Sequence, residues 1–452
     1  MNRTALRAAI LTTSLAFVIA LLAGSRSGAD SRADARADNS QNTGSNNAPA
    51  RVATSATNAP FAVHEWGTFT SMQGSTGVEL DGMQHEGESL PAFVYSFTET
   101  VPSPFRAHGD RSRNPQVRRT RSKMETPVIY FHSARPLDVA VTVQFVHGLM
   151  SHYYPAPTAM TPRAPTERAT RTAPLNLNDI GASMLHWQAH IAPERTDDDL
   201  PDASGNHYAM ARAVDAAKVH VTSAAGVTEN ERFLFYRGLG RDNPDIHITA
   251  EPRGRARVHN AEPQAVNAAF AIEMQAERGR FVALGEIAAG RQVSFDLDAL
   301  PFTTRKQAVE NLAEHMFQAL RARGLHADEA RAMVATWTDQ WFGSVGTRVV
   351  YVVPSAYVDR TLPMSIEPIP DELLRVFVGR IEYLTPEEEQ RIADDLRASG
   401  SLERTAREAA MARLAGHGRF MEPKLRRVVA VTRDQVVYDR ARALLGAMDT
   451  VP

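Results

Sequence analysis

The chain has 452 residues, with 43% hydrophobic and 23% charged side chains, 50 Lys+Arg against 52 Asp+Glu, and no cysteine. That length exceeds one ordinary hydrophobic core and predicts more than one domain. The balanced charge gives no global basis for nucleic-acid binding, and the missing thiols exclude disulfides, thiol catalysis and lipid attachment through cysteine.

Residues 1–7 carry Arg3 and Arg7 and no acid, and residues 8–23 (AAILTTSLAFVIALLA) form an apolar run followed by small residues. A basic start, a short apolar stretch and small residues predict a secretory signal peptide over 1–25. The run is shorter than the ~20 residues that cross a bilayer; an uncleaved N-terminal membrane anchor is the alternative. The expected location is periplasmic or extracellular. Residues 26–59 hold no aromatic side chain. Such a segment buries too little apolar surface to offset chain entropy, so it reads as a disordered linker.

From 60 to 300 the pattern is that of strands. Residues 126–133 (TPVIYFHS) are β-branched and aromatic, and residues 138–148 alternate, with Val139, Val141, Val143 and Phe145 on one face. Similar runs at 182–193, 231–240, 269–275 and 280–288 predict an antiparallel, sandwich-like β domain. Polar insertions interrupt it at 155–174 and 194–207. After 300 the period changes. Ala308, Leu312, Met316 and Leu320 fall at helical spacing and end at Gly324, and Met333, Trp337 and Trp341 form a second stripe. Strands at 347–354 and 375–384 complete an α+β segment over 301–384. Thr385 and Pro386 then open a helical tail over 385–452. The fold class read here is α+β multidomain: a large antiparallel β-sandwich-like domain, an α+β segment and a C-terminal helical tail.

The runs HEWGTFTS (64–71), KMETPVIYFHS (123–133), ERFLFYRGLG (231–240) and VFVGRIEYLTPEEE (376–389) occur in this order. Together they resemble an uncharacterised family of exported bacterial proteins, and the resemblance covers most of 61–390. It implies export and a single inherited architecture. It brings no activity, fold or cofactor.

The candidate chemistry is residue by residue. Glu65 and Glu125 are the carboxylates that a glycan-directed hydrolase would need to face one bond. On a regular strand His64 and Glu65 point to opposite faces, so they do not form a catalytic pair. Glu65 then lies beside Val63 and Phe69 and needs a cation, for which Arg237, Arg121 and Lys123 are the candidates. His64, Trp66, Trp187 and Arg237 are candidate ligand-binding residues, the tryptophans as stacking faces for sugars. Arg118, Arg119 and Arg121, within the basic run 106–123, are candidates for an anionic ligand. His186 and His190 would share a metal on a helix, but on a strand they lie ~13 Å apart. The aspartates of 196–206 lack the spacing of a calcium loop. No metal ligand is therefore assigned, and the cofactor stays open. Ser75 and Ser344 lack the surroundings of a nucleophile. The expected function is an exported envelope or extracellular protein that binds a polymer, such as a glycan, or an envelope component. The alternatives are a hydrolase using Glu65 and Glu125, or a metal-binding protein.

Overall fold

The computed structural model describes residues 60–85, 89–97, 117–162, 175–176, 181–193, 196–223 and 226–449. The signal peptide and linker read from the sequence, residues 106–116 of the basic run and residues 163–174 of the first insertion lie outside them.

The chain is α+β, built on a ten-stranded sheet. Its middle runs through five long strands: β1 (Ala62–Gln73), β2 (Ser122–His132), β3 (Leu234–Gly240), β4 (Gly346–Val352) and β5 (Glu372–Tyr383). In space the order is β4, β5, β1, β2, β3. β1 pairs antiparallel with β2 and parallel with β5, in unbroken register from Ala62↔Glu372 to Gln73↔Tyr383. The change of period at 300 is thus a change of layer: helices come first, and the strands after them return to the sheet that β1 began.

β1 is buried at every position after Ala62. A strand covered on both faces carries no simple polar alternation, which is why HEWGTFTS mixes chemistries. Gly67 answers a close approach, since a Cβ there would lie 2.5 Å from Cε1 of Phe377 and 3.0 Å from Cα of Pro127. A bulge in β2 sits opposite, where the register shifts between Trp66 and Thr68 and Thr126 takes a φ of +52°.

A second sheet includes Leu137–Val146, Ala182–Ala192 and Lys218–Thr222. There the alternation is clean: Val139, Val141, Val143 and Phe145 are buried with Leu185 and Trp187, while the residues between them are less covered. The Phe145 ring fills the space above Gly148, Gly238 and Gly240, joining this sheet to the first in one core.

Helices α1 (Arg305–Ala322) and α2 (Ala327–Trp337) cover the face of β1 that carries Thr68. Thr68 and Val378 meet Met316, Leu320, Met333 and Trp337 there. Gly324, with a φ of +102°, lets the chain turn sharply between the two helices. A short helix α3 (Ser355–Thr361) lies between β4 and β5. The tail consists of α4 (Pro386–Ala398), α5 (Arg404–Ala415), α6 (Met421–Val431) and α7 (Gln435–Asp449). It has its own apolar cluster, including Ile392, Leu396, Leu414, Leu425 and Val437, and reaches the far end of β1 at Met72. Thr385 caps α4 and Glu388 returns the bond to the Thr385 backbone, a complete capping box.

Candidate metal centre

Two strands and one helix start bring four ligating groups together. His64 on β1 lies opposite Tyr130 of β2, and Ala62 lies opposite His132. His64 and His132 therefore occupy diagonal positions on one sheet face, and their ring centroids are 4.8 Å apart. α2 starts over this face. His326 is its N-cap and Glu329 its third residue, a spacing that places both on the same turn. The His326 ring lies 4.7 Å from that of His64 and 4.9 Å from that of His132.

Glu329 sits at the centre. Its carboxylate lies 2.9 and 3.0 Å from Nδ1 of His64 and 2.9 Å from Nε2 of His132, and accepts the His326 backbone N–H at 2.6 Å. One ligand atom from each of His64, His132, His326 and Glu329 can be chosen so that all four lie within 4.8 Å of one another. Glu329 and His64 are buried, His132 is 17% exposed and His326 faces solvent, so the cluster opens on one side. Burial pushes the Glu329 carboxyl towards its neutral form, but hydrogen bonds from His132, His64 and the His326 N–H outweigh it and lower the pKa to about 2. The other nitrogen of His64, Nε2, has no hydrogen-bond partner; a carboxylate oxygen of Glu372 lies 3.8 Å away.

Three imidazoles and one carboxylate form a donor set suited to zinc or to another first-row divalent ion. In a tetrahedral zinc site, bonds of ~2.0–2.1 Å hold neighbouring ligand atoms ~3.3 Å apart. The 2.9 Å spacings around Glu329 need only a small expansion, with the ion taking the place of the shared protons.

The residues singled out in the sequence fall elsewhere, except His64. Glu65 is fully buried on the opposite face of β1. There it accepts from Nε of Arg375 at 2.7 Å and from the Tyr236 hydroxyl. Its cation comes from the parallel neighbour β5, not from Arg237, Arg121 or Lys123. Glu125 binds Thr70 at 2.7 Å and Arg419 at 2.5 Å, on the Thr68–Thr70 face of β1. Arg419, Lys123 and Arg237 hold its carboxyl well below the usual range against the opposing effect of burial. The two carboxylates thus point from opposite sides of one sheet into separate ion pairs and cannot flank one bond. Trp66 and Trp187 are fully buried and offer no stacking face, and the Trp187 indole donates to the Pro155 carbonyl. Arg237 is buried beside Glu125 rather than open to a ligand.

Of the basic run, Arg118 lies in a two-residue strand, Arg119 is exposed and Arg121 pairs with Asp81 at 2.8 Å. His186 and His190 stand on a strand and bind Thr142 and Asp138. Two aspartates of the acidic loop pair with cations, Asp197 with Arg232 and Asp199 with Lys218.

The sequence reading did not find His132, His326 and Glu329. One signal was available. The run HADE (326–329) puts a histidine and a glutamate three residues apart at a helix start, where both sit on one turn. Nothing in the sequence pairs that turn with β1 and β2.

No protein-family model matches the chain, and no curated protein matches it. Among solved structures, the Fcho1 Mu homology domain of Danio rerio with bound Eps15 peptide is similar at 8% identity. The match covers 73% of this chain and 98% of that one, with a TM-score of 0.28. The yeast delta-COP-I mu-homology domain complexed with Dsl1 WxWxV peptide is similar at 7% identity over 73% of this chain and 100% of that one, with a TM-score of 0.24. Likeness at this level carries no argument about function.

Proposed function

We propose that this chain is an exported metalloprotein that holds a divalent transition metal, zinc first among them, through His64, His132, His326 and Glu329. One observation carries the reading: four ligating groups from three distant chain segments converge on one point, with the central carboxylate buried and ionised. A purely structural buried carboxylate is usually matched by Arg or Lys, as Glu65 and Glu125 are here. Glu329 is instead surrounded by imidazoles, the side chains that exchange a proton for a metal near neutral pH. The partly exposed His132 and His326 leave a path for a further ligand, so the centre suits chemistry on a bound molecule as well as a structural role.

The N-terminal pattern over 1–25 supports export. A hydrolase using Glu65 with Glu125, and a polymer site built on Trp66, Trp187 and Arg237, lose the residues on which they rested.

The test is direct. The purified full chain, stripped with chelator and reloaded, should bind about one equivalent of Zn2+ or Co2+, with Co2+ giving the visible absorption of a low-symmetry site. Glu329→Gln and His64→Ala should each weaken binding at least ~10-fold. Absence of stoichiometric uptake by the folded wild type would refute the reading.

A further inference from the structure

The two nitrogens of His64 meet two different carboxylates. Nδ1 lies 2.9 and 3.0 Å from the carboxylate oxygens of Glu329. An ionised carboxylate only accepts, so Nδ1 carries the ring proton and donates it. In the neutral ring Nε2 is then a bare lone pair, and it is buried without a hydrogen-bond partner. Oε1 of Glu372 lies 3.8 Å from it, beyond hydrogen-bond range. Two acceptors that face one another do not close, which accounts for the gap.

The sheet fixes this placement. Glu372 of β5 pairs with Ala62 of β1, and Ala62 pairs with His132 of β2, so the three make one row across the sheet. His64 and its β5 partner Leu374 belong to the next row on the same face, two residues along each strand. Ala62, in the middle of the first row, has only a methyl group and leaves the Glu372 side chain room to lean towards His64. That side chain is 64% exposed and, among the described residues, makes no hydrogen bond and no other ion pair.

A metal bound beside Glu329 takes the Nδ1 lone pair, so the Nδ1 proton has to leave. A neutral ring bound through Nδ1 carries its proton on Nε2. One proton is lost at Nδ1 and one is gained at Nε2, and the ring stays neutral. The lone pair that faced Glu372 thus becomes a donor, buried and in need of an acceptor. Glu372 supplies that acceptor and, being exposed, also joins the buried nitrogen to water.

We infer that Glu372 is a positioning residue of the metal centre: on metal binding it closes on Nε2–H of His64 and fixes the tautomer and ring orientation that offer Nδ1 to the ion. The inference rests on the metal-centre reading above. Glu372 acts through the His64 ring and is not itself a ligand.

The test uses the purified full chain with Co2+ and Zn2+ as probes. Glu372→Ala should weaken Co2+ binding ~10-fold or more, the usual cost of losing such a partner. Glu372→Gln, which keeps a neutral acceptor, should lose less. The urea midpoint of metal-free Glu372→Ala should equal that of the wild type, because the exposed carboxylate makes no hydrogen bond there. A purely structural role would move that midpoint and leave the tautomer alone. 15N NMR of the His64 ring reads the tautomer: the proton should sit on Nδ1 in the metal-free chain and on Nε2 in the zinc form. The Nε2–H resonance should lie further downfield in the wild type than in Glu372→Ala. Unchanged Co2+ affinity in Glu372→Ala, or a lone proton already on Nε2 without metal, would overturn the inference and leave the metal centre standing. Complete loss of Co2+ binding in Glu372→Ala would also overturn it, since Glu372 would then be a ligand. Absence of stoichiometric Co2+ uptake by the wild type would refute the metal-centre reading, and this inference with it.

Discussion

Nε2 of His132 and Oε1 of Glu329 lie 2.9 Å apart across 197 residues of chain, joining the end of β2 to the first turn of α2. The bond is a tie between the sheet and the helical layer as well as part of the cluster. A metal replacing the shared protons would tighten the same tie, so metal and fold are coupled. Added Zn2+ should raise the unfolding free energy by ~2.7 kcal/mol when free metal is 100 times Kd, and chelator should reverse it. At the same free metal, Glu329→Gln, with binding weakened at least ~10-fold, should cut this increment to ~1.4 kcal/mol or less. It should also cost the metal-free protein about 1.5–3 kcal/mol, the range for hydrogen bonds to a charged group. Urea unfolding with and without zinc gives both numbers. A metal-dependent increment undiminished in Glu329→Gln would place the ion elsewhere.

Glu65 separates a structural carboxylate from a chemical one. It is fully buried against Arg375 and Tyr236, on the sheet face away from the cluster. Glu65→Gln leaves Arg375 buried with one partner fewer, a change that typically costs ~3–5 kcal/mol. The substitution should lower the urea midpoint strongly and leave the affinity for Co2+ unchanged. Loss of cobalt binding in a variant that remains folded would contradict this separation.

Gly67 gives the middle of HEWGTFTS its reason. With a Cβ direction 2.5 Å from the Phe377 ring and 3.0 Å from the Pro127 backbone, Gly67→Ala has to displace a strand already packed on both sides. Overpacking of this kind costs ~1–3 kcal/mol. Thermal unfolding should show the loss. Gly67→Ala combined with Phe377→Leu should recover part of it if the ring is the obstacle.

These cases show what the sequence makes legible. Strand alternation at 138–148, the caps at Thr385 and Glu388, and the opposite orientations of His64 and Glu65 all follow from local chemistry, and the structure has these features. Two things were hidden for one reason. The parallel pairing of β1 with β5 joins residues 310 apart, and the cluster joins β1, β2 and α2. No local period encodes which strand receives a distant neighbour. Glu65 therefore looked for its cation on the nearer chain and found it on β5. His132 lies within the strand-like run 126–133, and His326 sits just before the second helical stripe, with no local mark that the two meet. Buried on both faces, β1 also gave no sign of which face would meet the helices.

The tail carries its own pH response, apart from the cluster. His417, between α5 and α6, is largely buried. Its Nδ1 lies 3.2 Å from Nζ of Lys424, a donor to a neutral imidazole. Burial and then the Lys424 charge lower its pKa from 6.5 to about 4, with Asp395 opposing and Arg391 adding slightly. The unfolded chain thus takes up a proton that the folded chain refuses over this range. The contribution of His417 to stability is complete above about pH 6.5 and is lost as pH falls through about 4. Other groups titrate nearby, so the measurement is a difference. The urea midpoint of the wild type should fall more steeply between pH 7 and pH 4.5 than that of His417→Gln, which has no proton to gain. Parallel curves would show that His417 is protonated equally in both states, and Lys424 would then lack the neutral acceptor that the 3.2 Å contact requires.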